Sequence, residues 1–235
     1  MINSFIAIDL ETTGISPGTD RIIEIGALKV VDGKETGTFC SFINPRMHIS
    51  DRITGITGID DAMVKNAPVI EDIFEELSGF MEDLPLLGHN ILFDYSFLKC
   101  AAVSMNKVFE KNGIDTLKLA RRILPEAESK KLEFLCRYLQ IDPGSSHRAF
   151  DDAHSARLLY EKLHEINPDD EGFEKPMKLE FGIKKKSPVT PAQLKYLKAL
   201  TAAHGIVLET EPESLTKNEA SRIIDRILSV YGRIG

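Results

Sequence analysis

The sequence lacks the segments that would direct the chain into a membrane or a secretion route. No apolar run in its 235 residues approaches the length of a membrane span. The first residues, Met1 to Ser4, contain neither a basic region nor a cleavage site, so no secretion signal is predicted. These absences predict a cytoplasmic protein with no membrane partner.

Cysteine is scarce as well. The three cysteines, Cys40, Cys100 and Cys136, are widely spaced and form no Cys-x-x-Cys pair. The sequence therefore indicates neither a disulfide framework nor a zinc site. We expect all three to be small core residues in a reducing compartment. Internal repeats and low-complexity segments are also absent from the sequence.

Negative charge is in excess but unevenly distributed. The formal net charge is −7. Residues 183–235 hold nine Lys and Arg against five Asp and Glu, so this part carries +4 and residues 1–182 carry −11. A net negative charge argues against broad binding of polyanions, although an acidic surface can still bind a ligand that brings its own cations. A solvated acidic surface accounts for most of these charges equally well.

The hydrophobic pattern predicts an α/β domain followed by a small helical module. Predicted strands at 4–9, 21–31 and 36–43 form an antiparallel meander, and helices then alternate with short strands, which indicates a mixed sheet. Capping-box patterns begin two late helices at Thr190 and Thr216. The predicted domain, linker and basic two-helix module are 1–167, 168–189 and 190–235.

The first candidate motif is Asp9-Leu10-Glu11. Its two acids are two residues apart on a predicted strand, so both side chains point to one face. Carboxylates held this close repel unless a cation lies between them. All-oxygen ligands favour Mg²⁺ or Mn²⁺ over zinc. An isolated Asp-x-Glu pair, however, is more typical of a strand end with two solvated acids.

The second candidate motif runs from His89 to Asp94. Asp94 begins a predicted helix, where it can ligate a metal or simply favour the helix dipole. His89 and Asn90 lie in the preceding loop, a place where functional polar groups often occur. Phe93 fits the hydrophobic core better than a surface on which a ligand ring would stack.

The third candidate motif pairs His147 with Asp152, in the first turn of a predicted helix. A histidine titrates near neutral pH and can take a proton from a metal-bound water. Asp151 is a rival for the ligand role on the residues alone.

Together these residues resemble the DEDDh group of DnaQ-like 3′→5′ exonucleases, which includes the proofreading subunit of bacterial DNA polymerase III. The pattern His-x-Ala-x-x-Asp aligns with His147 and Asp152, and so favours Asp152 over Asp151. The resemblance runs from about Phe5 to about Leu163. Further matching segments are Arg21 to Ala27, Ile53 to Thr57, Ala67-Pro68, Phe97-Leu98, Asp115 to Leu117, Leu119 to Arg121 and Lys131-Leu132.

The resemblance implies an RNase H-like fold, a five-stranded mixed sheet flanked by helices. It implies two divalent ions, Mg²⁺ or Mn²⁺, one held by Asp9, Glu11 and Asp152 and the other bridged by Asp9. Asp94 would act mostly through water, and His147 would be the general base. The reaction would release nucleoside 5′-monophosphates from the 3′ end of single-stranded DNA.

The resemblance also implies substrate contacts and one supporting acid. Asp115 would support the site from behind. The residues expected to meet the substrate are Thr12, Thr13, Gly14, His89, Asn90 and Phe93.

One residue and one segment depart from the family pattern. Thr54 stands where family members often carry a histidine near the substrate. The basic tail does not match the polymerase-docking segment of the proofreading subunit, and we expect it to bind nucleic acid, a polymerase or another protein.

Two alternative functions remain at this point. An RNase T-like 3′ exoribonuclease would use the same motifs, because the contact to the 2′-hydroxyl is a detail of the pocket. A nucleic-acid-binding or scaffold module with a vestigial nuclease site is the alternative of another class. A missing acid would favour it, and the sequence has all four.

Overall fold

The computed structural model describes the chain at residues 1–142, 148–183, 188–208 and 210–232. The chain divides into two compact units, Met1–Phe181 and Gly182–Gly235. In the described part of the chain, no helix has both the length and the apolar character that crossing a bilayer requires.

The first unit is built on a mixed sheet. Its strands are β1 (Phe5–Thr12), β2 (Ile22–Val31), β3 (Lys34–Phe42), β4 (Leu86–Gly88), β5 (Asn112–Asp115) and β6 (Met177–Lys178). They lie in the order β3-β2-β1-β4-β5-β6. Strands β1, β2 and β3 are antiparallel, β1, β4 and β5 are parallel, and β6 is antiparallel to β5. The predicted mixed sheet with an opening meander is confirmed, with six strands where five were expected.

Helices cover both faces of this sheet. They are α1 (Asp51–Thr57), α2 (Asp61–Val64), α3 (Ile70–Met81), α4 (Leu92–Ser104), α5 (Thr116–Ile123), α6 (Leu132–Tyr138) and α7 (Ala149–Ile166). One core joins the sheet to α5, α6 and α7, and a second joins its other face to α3 and α4.

Alternation along β1 sends successive side chains to these two cores. Phe5 and Ala7 pack into the α7 core, whereas Ile6 and Ile8 pack into the α3–α4 core. The side chains of the next odd-numbered residues therefore emerge at the end of the strand on the face that α7 covers.

The segment 168–181, predicted as part of a linker, belongs to the first unit. Phe173 is buried in a short 3-10 turn and its ring lies 5.3 Å from that of Tyr160. The backbone of Leu179 donates to the carbonyl of Lys111 at 3.1 Å beside β6. The Pro- and Gly-rich composition resembles a linker, but the two buried apolar side chains tie it to the core.

The cysteines divide between the surface and the interior. Cys136 is buried in α6 and Cys100 is half-buried in α4, but Cys40 is exposed on the edge strand β3. The expectation of three core cysteines is therefore wrong for Cys40, whose strand lies at the edge of the sheet that the described residues form.

The second unit contains helices α8 (Pro191–His204) and α9 (Lys217–Tyr231). Both capping boxes are present: the side chains of Thr190 and Thr216 accept hydrogen bonds from the backbone three residues on. Leu197, Leu200 and Ile227 contribute to a separate hydrophobic core between the helices.

The start of α7 lies directly against β2. A Cβ atom on Gly26 would fall 2.1 Å from the backbone nitrogen of Phe150 and 2.2 Å from the carbonyl carbon of Ala149. Backbone cannot yield as a flexible side chain can, so only glycine permits this contact.

We expect Gly26→Ala to destabilise the first unit by about 3 kcal/mol, because the added methyl group overpacks a backbone contact. Gly79→Ala is the matched control: Gly79 lies in α3 with nothing within 4 Å of an added Cβ, and alanine favours the helix. Urea unfolding followed by circular dichroism measures both. Equal stability of the two variants would contradict the close approach of α7 to β2.

Candidate active site

Three predicted acids converge at the end of β1. Asp9 and Glu11 continue the odd-numbered face of the strand, and Asp152 reaches them from the first turn of α7. One carboxylate oxygen from each of these residues lies within 4.8 Å of the others. All three side chains are half-buried. The fold thus assembles a compact group of acids from residues 9, 11 and 152.

The choice between Asp151 and Asp152 follows from this geometry. Both lie in the first turn of α7, but consecutive helical residues point about 100° apart. Only Asp152 joins Asp9 and Glu11 among the residues that the structure describes.

Asp94 supports the group from the other side of β1. It is buried in the first turn of α4, and its Oδ1 accepts a hydrogen bond from the backbone nitrogen of Leu10 at 3.0 Å. It is not a member of the three-residue group. This bond ties α4 to the strand between Asp9 and Glu11.

Burial and mutual repulsion raise the pKa values of Asp9, Glu11 and Asp94. Burial, then the charges of Asp94, Asp152, Glu11 and Glu24, raise the pKa of Asp9 well above its ordinary value. Burial and the charges of Asp152 and Glu24 raise the pKa of Glu11 to about 8. Burial raises the pKa of Asp94 to about 8. A bound cation would reverse these shifts, because it favours the charged form of each acid.

The donor set fits a hard divalent cation. Asp9, Glu11 and Asp152 offer carboxylate oxygens only, as Mg²⁺ and Mn²⁺ prefer. Their spacing brings all three within reach of one ion, which would offset the repulsion that the fold imposes.

The predicted general base His147 lies outside the described residues, between 142 and 148. The next residue, Arg148, carries a contact that sequence reasoning missed. Its guanidinium binds the carboxylate of Glu24 on β2, with Nη2 and Oε1 2.7 Å apart. Glu24 and Arg148 are 124 residues apart in the chain. Their contact could therefore be inferred only by assuming that the segments of β2 and α7 pack together.

His89 braces the fold. Its Nε2 lies 2.6 Å from the carbonyl oxygen of Lys130, which can only accept, so Nε2 donates. Its Nδ1 lies 2.9 Å from the hydroxyl of Thr116. Burial lowers its pKa, which favours the neutral ring. Both ring nitrogens are thus engaged within the fold, which leaves neither for the predicted substrate contact.

Asp115 holds the loop of the second motif. Its buried carboxylate accepts from the backbone nitrogens of Asn90 at 3.1 Å and of Leu117 at 3.0 Å. Asn90 has a φ of 73°, a conformation that asparagine tolerates better than most residues. Its side chain is exposed. Asp115 therefore caps α5 and fixes the turn that leads to Asp94.

The loop after β1 is braced by its own polar groups. The hydroxyl of Thr12 donates to the carbonyl of Gly14 at 2.7 Å, and that of Thr13 accepts from the backbone of Arg21 at 2.9 Å. A Cβ on Gly14 would lie 2.4 Å from Oδ2 of Asp20. Thr12 is buried, whereas Thr13 and Gly14 are half-buried beside the acids.

Two further candidate positions have structural partners. Phe93 packs against Phe97, with ring centroids 5.1 Å apart, on the edge of the α3–α4 core. The hydroxyl of Thr54 donates to the carbonyl of Ile59 at 2.9 Å. At this position, where the resemblance predicts a histidine, the Thr54 side chain closes the end of α1.

Residues 6–160 match the family model described as "Exonuclease". The chain belongs to the exonuclease family. A "DNA polymerase III PolC-type" from Caldanaerobacter subterraneus subsp. tengcongensis is 39% identical to this exonuclease domain over 166 residues. That alignment covers 69% of this chain and 12% of the relative.

Solved structures have the same fold as the exonuclease domain. "Exonuclease X in complex with 5′ overhanging duplex DNA" is 28% identical, with a TM-score of 0.58, and the match covers 70% of this chain and 93% of the other. The nuclease domain of 3′hExo, "a DEDDh family member, bound to rAMP", is 19% identical, with a TM-score of 0.59 and coverage of 77% and 97%. The predicted DnaQ-like family and RNase H-like fold are confirmed.

We expect the rise in melting temperature on adding Mn²⁺ to be about 5 °C larger at about pH 9 than at about pH 5.5. Because folding raises the pKa values of Glu11 and Asp94, their protonation stabilises the metal-free fold. This contribution is complete when the pH is below their ordinary pKa values of 4.5 and 3.8, and it is lost as the pH rises through about 8. Mn²⁺ then replaces the protons. Thermal melts with and without Mn²⁺ measure this, and Asp9→Asn should remove the gain. An equal gain at both pH values would refute it.

Proposed function

We propose that this chain is a metal-dependent 3′→5′ exonuclease that hydrolyses single-stranded DNA from its 3′ end and releases nucleoside 5′-monophosphates. The observation that carries this proposal is the convergence of Asp9, Glu11 and Asp152 within 4.8 Å, braced by buried Asp94. A surface of solvated acids would not require such close, half-buried placement.

Asp9, Glu11 and Asp152 would hold the divalent ions. Such ions lower the pKa of an attacking water and offset the charge that develops on the phosphate oxygens. Asp94 would orient the site through its bond to the backbone of β1. His147, which precedes Arg148, the N-cap residue of α7, would accept the proton of the attacking water.

The loop after β1 would receive the terminal nucleotide. Thr13 and Gly14 are half-buried beside Asp9 and Glu11, and the rigid hydrogen bonds of this loop favour a defined position for the 3′ end. Asn90 and Phe93 would line the opposite side.

DNA is favoured as the substrate by the name of the polymerase III relative, and a role in proofreading or repair follows from the same relationship. The second unit would supply a contact to nucleic acid, a polymerase or another protein. A 3′ exoribonuclease remains the second candidate, since a fold neighbour was solved with rAMP. The complete set of acids disfavours a vestigial site.

Single-stranded DNA and RNA oligonucleotides labelled at either end test this proposal. With Mg²⁺ or Mn²⁺ we expect DNA to shorten from its 3′ end, RNA to shorten more slowly, and EDTA to stop both reactions. Loss of label from the 5′ end first, or cleavage that survives EDTA, would refute the proposal. Faster cleavage of RNA would favour the second candidate.

Asp152→Asn and Asp151→Asn form a matched pair of adjacent variants. We expect Asp152→Asn to lower kcat by about 100-fold, because losing a ligand forfeits part of the several kcal/mol that the ions contribute. Asp151→Asn should retain activity, since Asp151 is not in the group of acids. Initial rates on a 3′-labelled oligonucleotide measure both. The reverse order of activities would exchange the roles of the two residues.

A further inference from the structure

A fifth acid lies next to the candidate metal ligands. Glu24 on β2 pairs directly with Glu11 on β1, so both side chains share one face of the sheet. Glu24 is 8% exposed. Another buried negative charge would worsen the repulsion among the acids, unless a cationic partner neutralises it.

That partner is Arg148, the residue at the N-terminal cap of α7. Its Nη2 and Nε lie 2.7 Å and 3.2 Å from Oε1 of Glu24, and the backbone nitrogen of Ala149 donates to Oε2 at 3.2 Å. Both carboxylate oxygens are therefore engaged, and Glu24 serves as the missing cap for the helix as well as an ion-pair partner.

A further bond extends this contact to a metal ligand. The carbonyl of Arg148 accepts from the backbone nitrogen of Asp152 at 3.0 Å, the first hydrogen bond of α7. The first turn of α7 carries Asp152. Glu24 therefore anchors this turn to β2, next to Glu11. Gly26, two residues along β2, removes the side chain that would hold the two backbones apart.

We propose that Glu24 and Arg148 are positioning residues that fix the distance between Asp152 and Glu11. This inference rests on the proposed function. Neither residue touches the ion or the substrate in this role; the pair sets where the first turn of α7 lies on the sheet.

Mn²⁺ affinity separates positioning from simple electrostatics. Arg148→Gln removes a positive charge beside the acids, so electrostatics alone predicts tighter Mn²⁺ binding, whereas loss of positioning predicts binding weaker by about tenfold. The double variant Glu24→Gln/Arg148→Gln leaves the net charge unchanged. We expect it also to bind Mn²⁺ about tenfold more weakly and to lose about tenfold in kcat with KM unchanged. Arg148→Lys should restore part of both, since lysine keeps the charge without the forked geometry.

Arg122→Gln is the matched control. Arg122 pairs with Asp170 through a similar fork, and the exposures of their side chains, 44% and 11%, nearly equal the 47% and 10% of Arg148 and Glu24. This variant should retain Mn²⁺ affinity and kcat. Thermal melts of every variant report folding, and Arg148→Lys carries the test if the double variant is unfolded.

Unchanged Mn²⁺ affinity in the charge-neutral double variant would overturn the inference. So would a rise in KM at constant kcat, which would place Arg148 on the substrate. If the wild-type chain binds Mn²⁺ but cleaves no nucleic acid, the proposed function fails, while weaker Mn²⁺ binding by the double variant would still support positioning.

Discussion

Repulsion among carboxylates is the constraint on which the rest of the first unit depends. Asp9, Glu11 and Asp152 lie closer together than they would remain in water, and burial intensifies the conflict. Rigid surroundings keep them there: the bond from Leu10 to Asp94 on one side of β1, and the docking of α7 onto β2 on the other. The fold thus holds these carboxylates in a repulsive arrangement, and a bound cation would relieve that repulsion.

Much of this arrangement could be predicted where a pattern repeats over enough residues. The two-residue spacing of Asp9 and Glu11 indicates that they share one face of β1, and the Thr190 and Thr216 capping boxes indicate where α8 and α9 begin. The acids of the three motifs could be grouped because a known family presents them in the same order. The structure was needed to show that these acids lie close together and that α7 directs Asp152, and not Asp151, toward them.

Contacts between distant segments could not be predicted in the same way. Strand β5 has four residues and β6 has two, too few for a period to show. Phe173 and Leu179 lie in a stretch whose composition resembles a linker, and only burial against Tyr160 and β5 includes them in the unit. The place of His89 in the second motif predicts a substrate contact. Its partners in the structure, Thr116 and Lys130, instead come from later segments. The sequence alone contains no local signal for such pairs.

The bare backbone at Gly26 has a genetic consequence. Every substitution there adds at least one carbon where the start of α7 lies against β2, so we expect even Gly26→Ala to displace the turn that carries Asp152. Activity would therefore depend on this position, although it carries no reactive group. A survey of inactive alleles that considered only acids and histidines would overlook a residue whose contribution is the space it leaves free.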